Sequence, residues 1–103
     1  MKRYILNTSF HMEASIAQAF IEWTKNDYIK AALEQSHFSN PVIARIMTET
    51  EPGVVGYAVH LETDNLAAAS RWHDAEASEL KGVLSRRFGQ RIVFFSTFME
   101  VVE

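Results

Sequence analysis

The feature of this chain that most limits its fold is a hydrophobic period that changes several times along 103 residues. Apolar side chains line one or both faces of four short stretches at the two-residue period of β-strands. They recur at three- and four-residue steps in two longer stretches, as in amphipathic helices. The pattern predicts, in order, a strand at 4–12, a helix at 13–35, strands at 42–49 and 54–62, a helix ending near 88 and a strand at 91–102.

Local signals mark the boundaries between these elements. The Glu-Pro-Gly sequence at 51–53 predicts a tight turn, because proline presets one φ angle and glycine accepts the positive φ of the next position. Thr63 or Asp64 is predicted to cap the second helix, and Gly89 lies where helices commonly end in a left-handed residue. The second and third strands are therefore expected to form an antiparallel hairpin.

The order of the elements limits the topology further. Each helix connects two strands that run parallel, and such crossovers are right-handed in about 98% of cases. Both helices then lie on one face of a four-stranded antiparallel sheet, which is the ferredoxin-like βαββαβ sandwich of the α+β class. We expect residues 1–103 to form a single domain of this kind, since domains of about 100–150 residues are typical.

The sheet face that the helices leave open is predicted to be apolar. In the last strand Val93, Phe95 and Met99 share one side, while the opposite side is apolar as well, and the third strand offers the small residues Gly56 and Ala58. Covering roughly 500–700 Å² of this surface would contribute about 12–18 kcal/mol gross. We therefore predict a homodimer through the open sheet face; the alternative is a last strand that simply exposes an aromatic-rich edge.

Polar residues on the predicted apolar helix faces are the candidates for chemistry. Asp27 lies between Trp23 and Ala31 on the first helix, and His73 and Glu76 share an arc with the leucines of the second. A carboxylate beside an imidazole could perform acid–base work, or these groups could only hydrogen-bond to one another or reach water. Together with two aromatic residues, Trp23 and Tyr57, these polar side chains make up the predicted ligand pocket, which consists of Trp23, Asp27, Tyr57, His73 and Glu76.

Other kinds of chemistry lack sequence support. The chain has no cysteine, its four glycines are isolated and its histidines show no metal-site spacing, so we expect no thiol chemistry, phosphate loop, metal or cofactor. The formal net charge of −3 argues against a nucleic-acid partner. The basic cluster of Lys81, Arg86, Arg87 and Arg91 is interpreted as a solvated helix end.

The sequence also shows no signal for export and none for insertion into a membrane. No stretch approaches the roughly 20 apolar residues of a membrane span. The charged start of the chain is not followed by the apolar run of an export signal. We therefore expect a soluble, cytoplasmic protein with no membrane partner.

Three segments resemble those of a known protein family. They are Phe20-Ile21-Glu22-Trp23 in the first helix, Phe38, and Arg87-Phe88-Gly89 leading into residues 94–102. Over nearly its full length the chain is similar to a domain-of-unknown-function family of roughly hundred-residue bacterial proteins, ferredoxin-like and related to the dimeric α/β-barrel group. Members usually carry a His-Ile pair four residues after the helix tryptophan, where this chain has Asp27-Tyr28-Ile29. The resemblance implies the fold and dimerisation, and no catalytic residue transfers.

Two hypotheses of different class follow, and the sequence does not decide between an enzyme and a non-enzyme. In the first, the homodimer binds a small apolar or aromatic metabolite between helices and sheet. In the second, it is a structural or regulatory protein-interaction module with no ligand or catalysis. An open cavity of more than about 300 Å³ lined by the candidate residues would favour the first, and a filled interior the second.

Overall fold

The four strands form one antiparallel sheet in the order β2-β3-β1-β4. The computed structural model describes residues 2–35, 37–48 and 51–103. The strands are β1 (Tyr4–Glu13), β2 (Phe38–Arg45), β3 (Val54–Thr63) and β4 (Ile92–Glu100). With a helical stretch after β1 and another after β3, this order is that of the ferredoxin-like sandwich, and the predicted fold class is confirmed.

The sheet register separates two sets of side chains. Phe10 of β1 pairs with Tyr57 of β3 and Phe94 of β4, and its ring contacts Phe20 of the first helix. Because side chains alternate along a strand, the even-numbered residues of β1 and β4 and the odd-numbered residues of β3 face the helices. The remaining strand residues face the open side of the sheet.

Each helical stretch is interrupted in the middle by a π-helical turn. The first helix, residues 17–33, and the second helix, residues 66–88, each consist of two α-helical parts around such a turn. The parts are α1 (Ala17–Trp23), a π turn (Thr24–Ile29), α2 (Lys30–Leu33), α3 (Leu66–Trp72), a π turn (His73–Ala77) and α4 (Ser78–Phe88). A π turn bonds each residue to the fifth one along the chain, so it contains one residue more than an α-helical turn.

This extra residue moves the buried face of each helix by one position. In the first helix Tyr28 and Ala32 are buried, whereas a continuous α-helical period predicts positions 27 and 31. In the second helix Ala77 and Lys81 are buried, whereas the same period predicts Glu76 and Leu80. The predicted burial of Asp27 and Glu76 is therefore wrong, since both side chains are exposed.

Most predicted boundaries agree with the structure, and the largest shifts are at the start of the first helix, which begins at Ala17 instead of residue 13, and in β2. This strand begins at Phe38 instead of residue 42 and ends at Arg45, while the predicted end at Glu49 lies outside the described residues. A bulge between Ser39 and Val42 carries the edge strand past its proline, with Asn40 at φ 49°.

The structure corrects the predicted start of the second helix and confirms its predicted end. The cap is Asn65, whose side-chain oxygen accepts a hydrogen bond from the Ala68 amide at 3.1 Å, and not Thr63 or Asp64. At the other end Gly89 has a φ of 58°, as the sequence predicted. Gly53 in the hairpin turn likewise has a positive φ of 81°.

Aromatic rings fill the layer between the sheet and the helices. The Phe10 ring centroid lies 4.7 Å from that of Phe20 and 5.5 Å from that of Phe94. Trp23 stacks on Tyr28 at 5.5 Å. All of these side chains except Phe94 are buried, so this part of the interior is closed by its own side chains.

The open side of the sheet presents a row of exposed apolar side chains on β4. Val93 is 62% exposed, Phe95 60% and Met99 37%. On β3, Gly56 lies against the His11 ring, which a Cβ at that position would approach to 2.9 Å. The prediction that β4 is apolar on both faces is confirmed.

Neither helix in the described part of the chain has the length and apolar character that crossing a bilayer requires.

Candidate functional site

A line of polar side chains crosses the interior between the sheet and the second helix. Lys81 Nζ donates a hydrogen bond to Ser96 Oγ at 3.2 Å, Ser96 Oγ lies 2.7 Å from Thr8 Oγ1, and Thr8 Oγ1 lies 3.5 Å from the Tyr28 hydroxyl. Lys81 is 7% exposed, and Thr8 and Tyr28 are fully buried. We call these four residues the Lys81 cluster.

Both the strand register and the π turns bring the Lys81 cluster together. Thr8 and Ser96 are direct partners in the β1–β4 pairing, with both side chains on the helix side of the sheet. Tyr28 reaches Thr8 because the π turn of the first helix moves it into the buried face. The π turn of the second helix does the same for Lys81.

Lys81 has no acidic partner in the part of the chain that the structure describes. Within the described residues, no carboxylate oxygen lies at ion-pair distance from Lys81 Nζ, and the three ion pairs that the structure shows are all at the surface. Its other contacts are His73 Nδ1 at 3.5 Å and the ring of Phe94, whose centroid lies 5.7 Å from Nζ. A buried cation without a counter-ion is costly, so this arrangement needs a reason beyond packing.

Lys81 borders an open groove of about 340 Å³ between the second helix and β4. His73 and Phe94 also line it, and the rest of its wall is small or polar, namely Asp74, Ser78, Gly82 and Ser85. The ring of His73 packs edge-on against Phe98 at 5.7 Å. We call this the Lys81 groove; it offers one ammonium, one imidazole and an aromatic wall to a small molecule.

Burial changes the acid–base properties of these groups. Desolvation lowers the pKa of Lys81 below its ordinary 10.5. Desolvation and then the Lys81 charge lower the pKa of His73, which the nearby Asp74 partly opposes. Desolvation raises the pKa of Tyr28, against the effect of its hydrogen bond to Thr8. Each of the three shifts favours the neutral form, as expected in a poorly hydrated interior.

The five residues of the predicted pocket do not lie together in the structure. Trp23 is buried in the aromatic layer, and the half-buried Tyr57 packs on Phe20, 5.7 Å between ring centroids. Asp27 is exposed. Glu76 is exposed and accepts a hydrogen bond from Trp72 Nε1. Only His73, half-buried, lies in the Lys81 groove.

Lys81 is the residue that the sequence interpretation missed. The sequence predicts a solvated helix end for Lys81, Arg86, Arg87 and Arg91, and the structure shows the three arginines exposed but Lys81 buried. Lys81 instead belongs to the same buried face as Ala77, Leu84 and Phe88, at steps of three and four residues from the end of the π turn through α4. That spacing is visible in the sequence once the face is counted from Ala77.

A second cavity, of about 240 Å³, lies beside the start of β2 and the end of β3. Its Glu62 carboxylate is paired with Arg3 at 3.3 Å and accepts a hydrogen bond from Asn40. Its charged groups therefore partly satisfy one another. Among the described residues, no three His, Asp or Glu side chains are grouped so that they could hold a metal ion.

Replacing Lys81 should change how stability depends on pH. Between the lowered pKa of Lys81 in the folded protein and its ordinary value of 10.5, the lysine is protonated in the unfolded chain but neutral in the folded one. Because the unfolded state binds the extra proton there, the free energy of unfolding of the wild type rises with pH across this range. We expect Lys81→Met to be at least as stable as the wild type at neutral pH, with a gain that shrinks toward pH 10.5. Urea unfolding at several pH values measures this.

The prediction concerns the difference in stability between Lys81→Met and the wild type, because His73 and Tyr28, whose pKa values are also shifted, are present in both proteins. Asp74 lies on the same groove wall in both as well. Lys30→Met makes the same substitution at an exposed lysine of the first helix and serves as the matched control. A Lys81→Met variant that is less stable than the wild type at neutral pH would contradict the prediction.

The topology and the helix-covered sheet define a protein of the ferredoxin-like class. A dimeric ferredoxin-like protein from an uncultured marine organism is 12% identical, with a TM-score of 0.65 over 100% of this chain and 98% of its own. A Bacillus cereus protein assigned provisionally as an antibiotic biosynthesis monooxygenase is 14% identical, with a TM-score of 0.68 over 100% and 96%. A Caulobacter crescentus protein with the same provisional assignment is 14% identical, with a TM-score of 0.69 over 99% and 92%.

These similarities concern the fold, and sequence comparison supplies the family. The chain belongs to DUF4286, a domain of unknown function, whose family profile matches residues 3–102. No curated protein sequence matches the chain.

Proposed function

We propose that the protein is a homodimeric small-molecule-binding protein whose ligand lies in the Lys81 groove. The ligand is a small apolar or aromatic compound that carries an oxygen acceptor such as a carboxylate. The observation that carries the proposal is the buried ammonium of Lys81, which borders the groove without an acidic partner among the described residues. An incoming carboxylate would supply the missing counter-charge.

The groove suits such a ligand in chemistry and size. The apolar part of the ligand would pack along Phe94, and its oxygen atoms would accept hydrogen bonds from Lys81 and from the hydroxyls of Ser78 and Ser85 on the same wall. The volume of about 340 Å³ is at the lower end for small-molecule sites. Of the original candidate residues, His73 remains part of this proposed site.

The proposed partner for the open sheet face is a second copy of the chain. The exposed row of Val93, Phe95 and Met99 would be covered by the same row of a twin, in an isologous contact. The small residue Ala58 on neighbouring β3 would let the two sheets approach closely, whereas the space above Gly56 is already filled by the side chains of His11 and Ile46. The existence of dimeric proteins with this fold supports the arrangement.

Binding can be tested with benzoate as the probe. In amide NMR titrations we expect benzoate to shift the signals of residues 78–85 of α4, and Lys81→Met to weaken binding at least about tenfold, as for loss of a charge-assisted hydrogen bond. Lys30→Met makes the same substitution at an exposed lysine and should leave binding unchanged. Equal affinity of the wild type and Lys81→Met would contradict the proposal.

The alternative of a protein-interaction module without a ligand has one observation in its favour. The layer around Trp23 is closed by aromatic side chains, so that part of the interior offers no cavity to a ligand. If benzoate and related carboxylates produce no shift in α4 at millimolar concentration, this alternative is preferred.

A further inference from the structure

Lys81 differs from the other three lysines of the chain in its surroundings. Lys2, Lys25 and Lys30 are exposed, and Lys2 also pairs with Glu100 at 3.0 Å. Lys81 is 7% exposed and is held by a hydroxyl, an imidazole and an aromatic ring. No described acidic group in contact with it holds the proton on its amine.

We propose that Lys81 is a nucleophile that captures a small apolar or aromatic aldehyde or ketone in the groove as an imine. The proposal rests on the proposed function, because it takes the Lys81 groove as a ligand site and names the class of compound that reacts there. Lysines in poorly hydrated pockets are the ones that form Schiff bases with carbonyl compounds.

The step is balanced without any further reactant. The lone pair of the neutral Nζ forms a bond to the carbonyl carbon, and the carbonyl oxygen takes up a proton to give a carbinolamine. The carbon–oxygen bond then breaks, a carbon–nitrogen double bond forms, and the oxygen leaves as water. Both protons of that water balance the two that Nζ loses, and no electron is exchanged with an external group.

The neighbours of Nζ are placed to assist this step. His73 Nδ1, 3.5 Å from Nζ, can accept a proton from the attacking amine and return it to the departing oxygen. Ser96 Oγ, at 3.2 Å, orients the amine and is itself held by Thr8. Desolvation lowers the pKa of Lys81 and so increases its neutral fraction.

The aromatic wall of the groove sets the preferred substituent on the carbonyl compound. The Phe94 ring lies within 5.7 Å of Nζ, so a flat or apolar group attached to the carbonyl carbon would pack on it when the new bond forms. Of the charged side chains nearby, Asp74 lies on the groove wall but not at ion-pair distance from Lys81, and the Arg86 guanidinium, which carries the same charge as Lys81, lies beside Gly82.

Reductive trapping on the intact protein tests the proposal. The protein is treated at neutral pH with substoichiometric benzaldehyde and cyanoborohydride, which reduces an imine to a stable benzylamine, and peptide mass mapping then measures the labelling of each lysine. We expect Lys81 to be labelled at least about tenfold faster than Lys2, Lys25 or Lys30, because only the neutral amine attacks. Labelling of Lys81 at or below the rate of the exposed lysines would overturn the proposal.

Two controls separate this result from trivial causes and from the proposed function. In guanidinium chloride the preference for Lys81 should disappear; a preference that survives unfolding would overturn the proposal, since it would not depend on the groove. Benzoate should slow the labelling of Lys81 but not of Lys30. If benzoate binds in α4 while benzaldehyde does not label Lys81 preferentially, the proposed function stands and the imine inference fails.

Discussion

Phe95→Asp should convert the proposed dimer into a monomer at micromolar concentration. Phe95 is 60% exposed at the centre of the apolar row on β4 and would be buried in the proposed dimer. A two-fold axis repeats each substitution, and an aromatic anchor contributes about 2 kcal/mol or more per copy. The combined loss of about 4 kcal/mol would raise the dissociation constant about a thousandfold, before the cost of burying two carboxylates is counted.

Sedimentation velocity at several concentrations measures this effect. Leu33→Asp is the matched control, because Leu33 is 46% exposed on the first helix and lies outside the sheet. The Leu33 variant should keep the mass of the wild type. A wild-type protein that sediments as a monomer at micromolar concentration would contradict the proposed dimer, and a dimeric Phe95→Asp variant would place its interface elsewhere.

Phe10→Ala should remove a large part of the stability of the fold. Phe10 is fully buried, and its ring contacts Phe20, Trp23 and Phe94, which come from a helix and a neighbouring strand. The substitution removes this packing and leaves a cavity, so we expect a loss of about 3–5 kcal/mol in the free energy of unfolding. Domains of this size have roughly 5–15 kcal/mol in total.

Urea unfolding at one fixed protein concentration measures the loss, because dimerisation would otherwise add to the apparent stability. Val102→Ala, at a position 87% exposed, should change the unfolding free energy by less than about 0.5 kcal/mol. An effect of Phe10→Ala below about 1 kcal/mol would show that the aromatic layer repacks around the missing ring.

The fold could be predicted because its determinants are local and periodic. Alternation along β1, the hairpin turn at Gly53 and the helix end at Gly89 each carry their own sequence signal. The start of β2 could not be predicted in the same way. Its path past Pro41 depends on a bulge at the edge of the sheet, and there a proline is tolerated because its missing amide is not needed.

The candidate site was harder to predict because it depends on the phase of the helices. A hydrophobic period of 3.6 residues assumes an uninterrupted α-helix, and each π turn breaks that assumption in the middle of a helix. His73 is the first residue of the π turn, so it keeps the face that an uninterrupted helix would give it, and it lines the groove. Lys81 lies after it, so it replaced Leu80 on the inner face without a signal in the assumed period.

The two π turns also bear on how a protein of this shape could acquire new specificity. Deleting a single residue within His73–Ala77 would restore ordinary α-helical winding and leave the downstream residues on the faces they now occupy, because the π turn holds one residue more than an α-helical turn. Rewinding the same stretch as α-helix at unchanged length would instead rotate everything downstream by roughly a quarter of a turn. Lys81 would then turn away from Ser96 and Leu80 would take its place, so a substitution that straightens this turn would change which side chain lines the groove while the sheet beneath it stays the same.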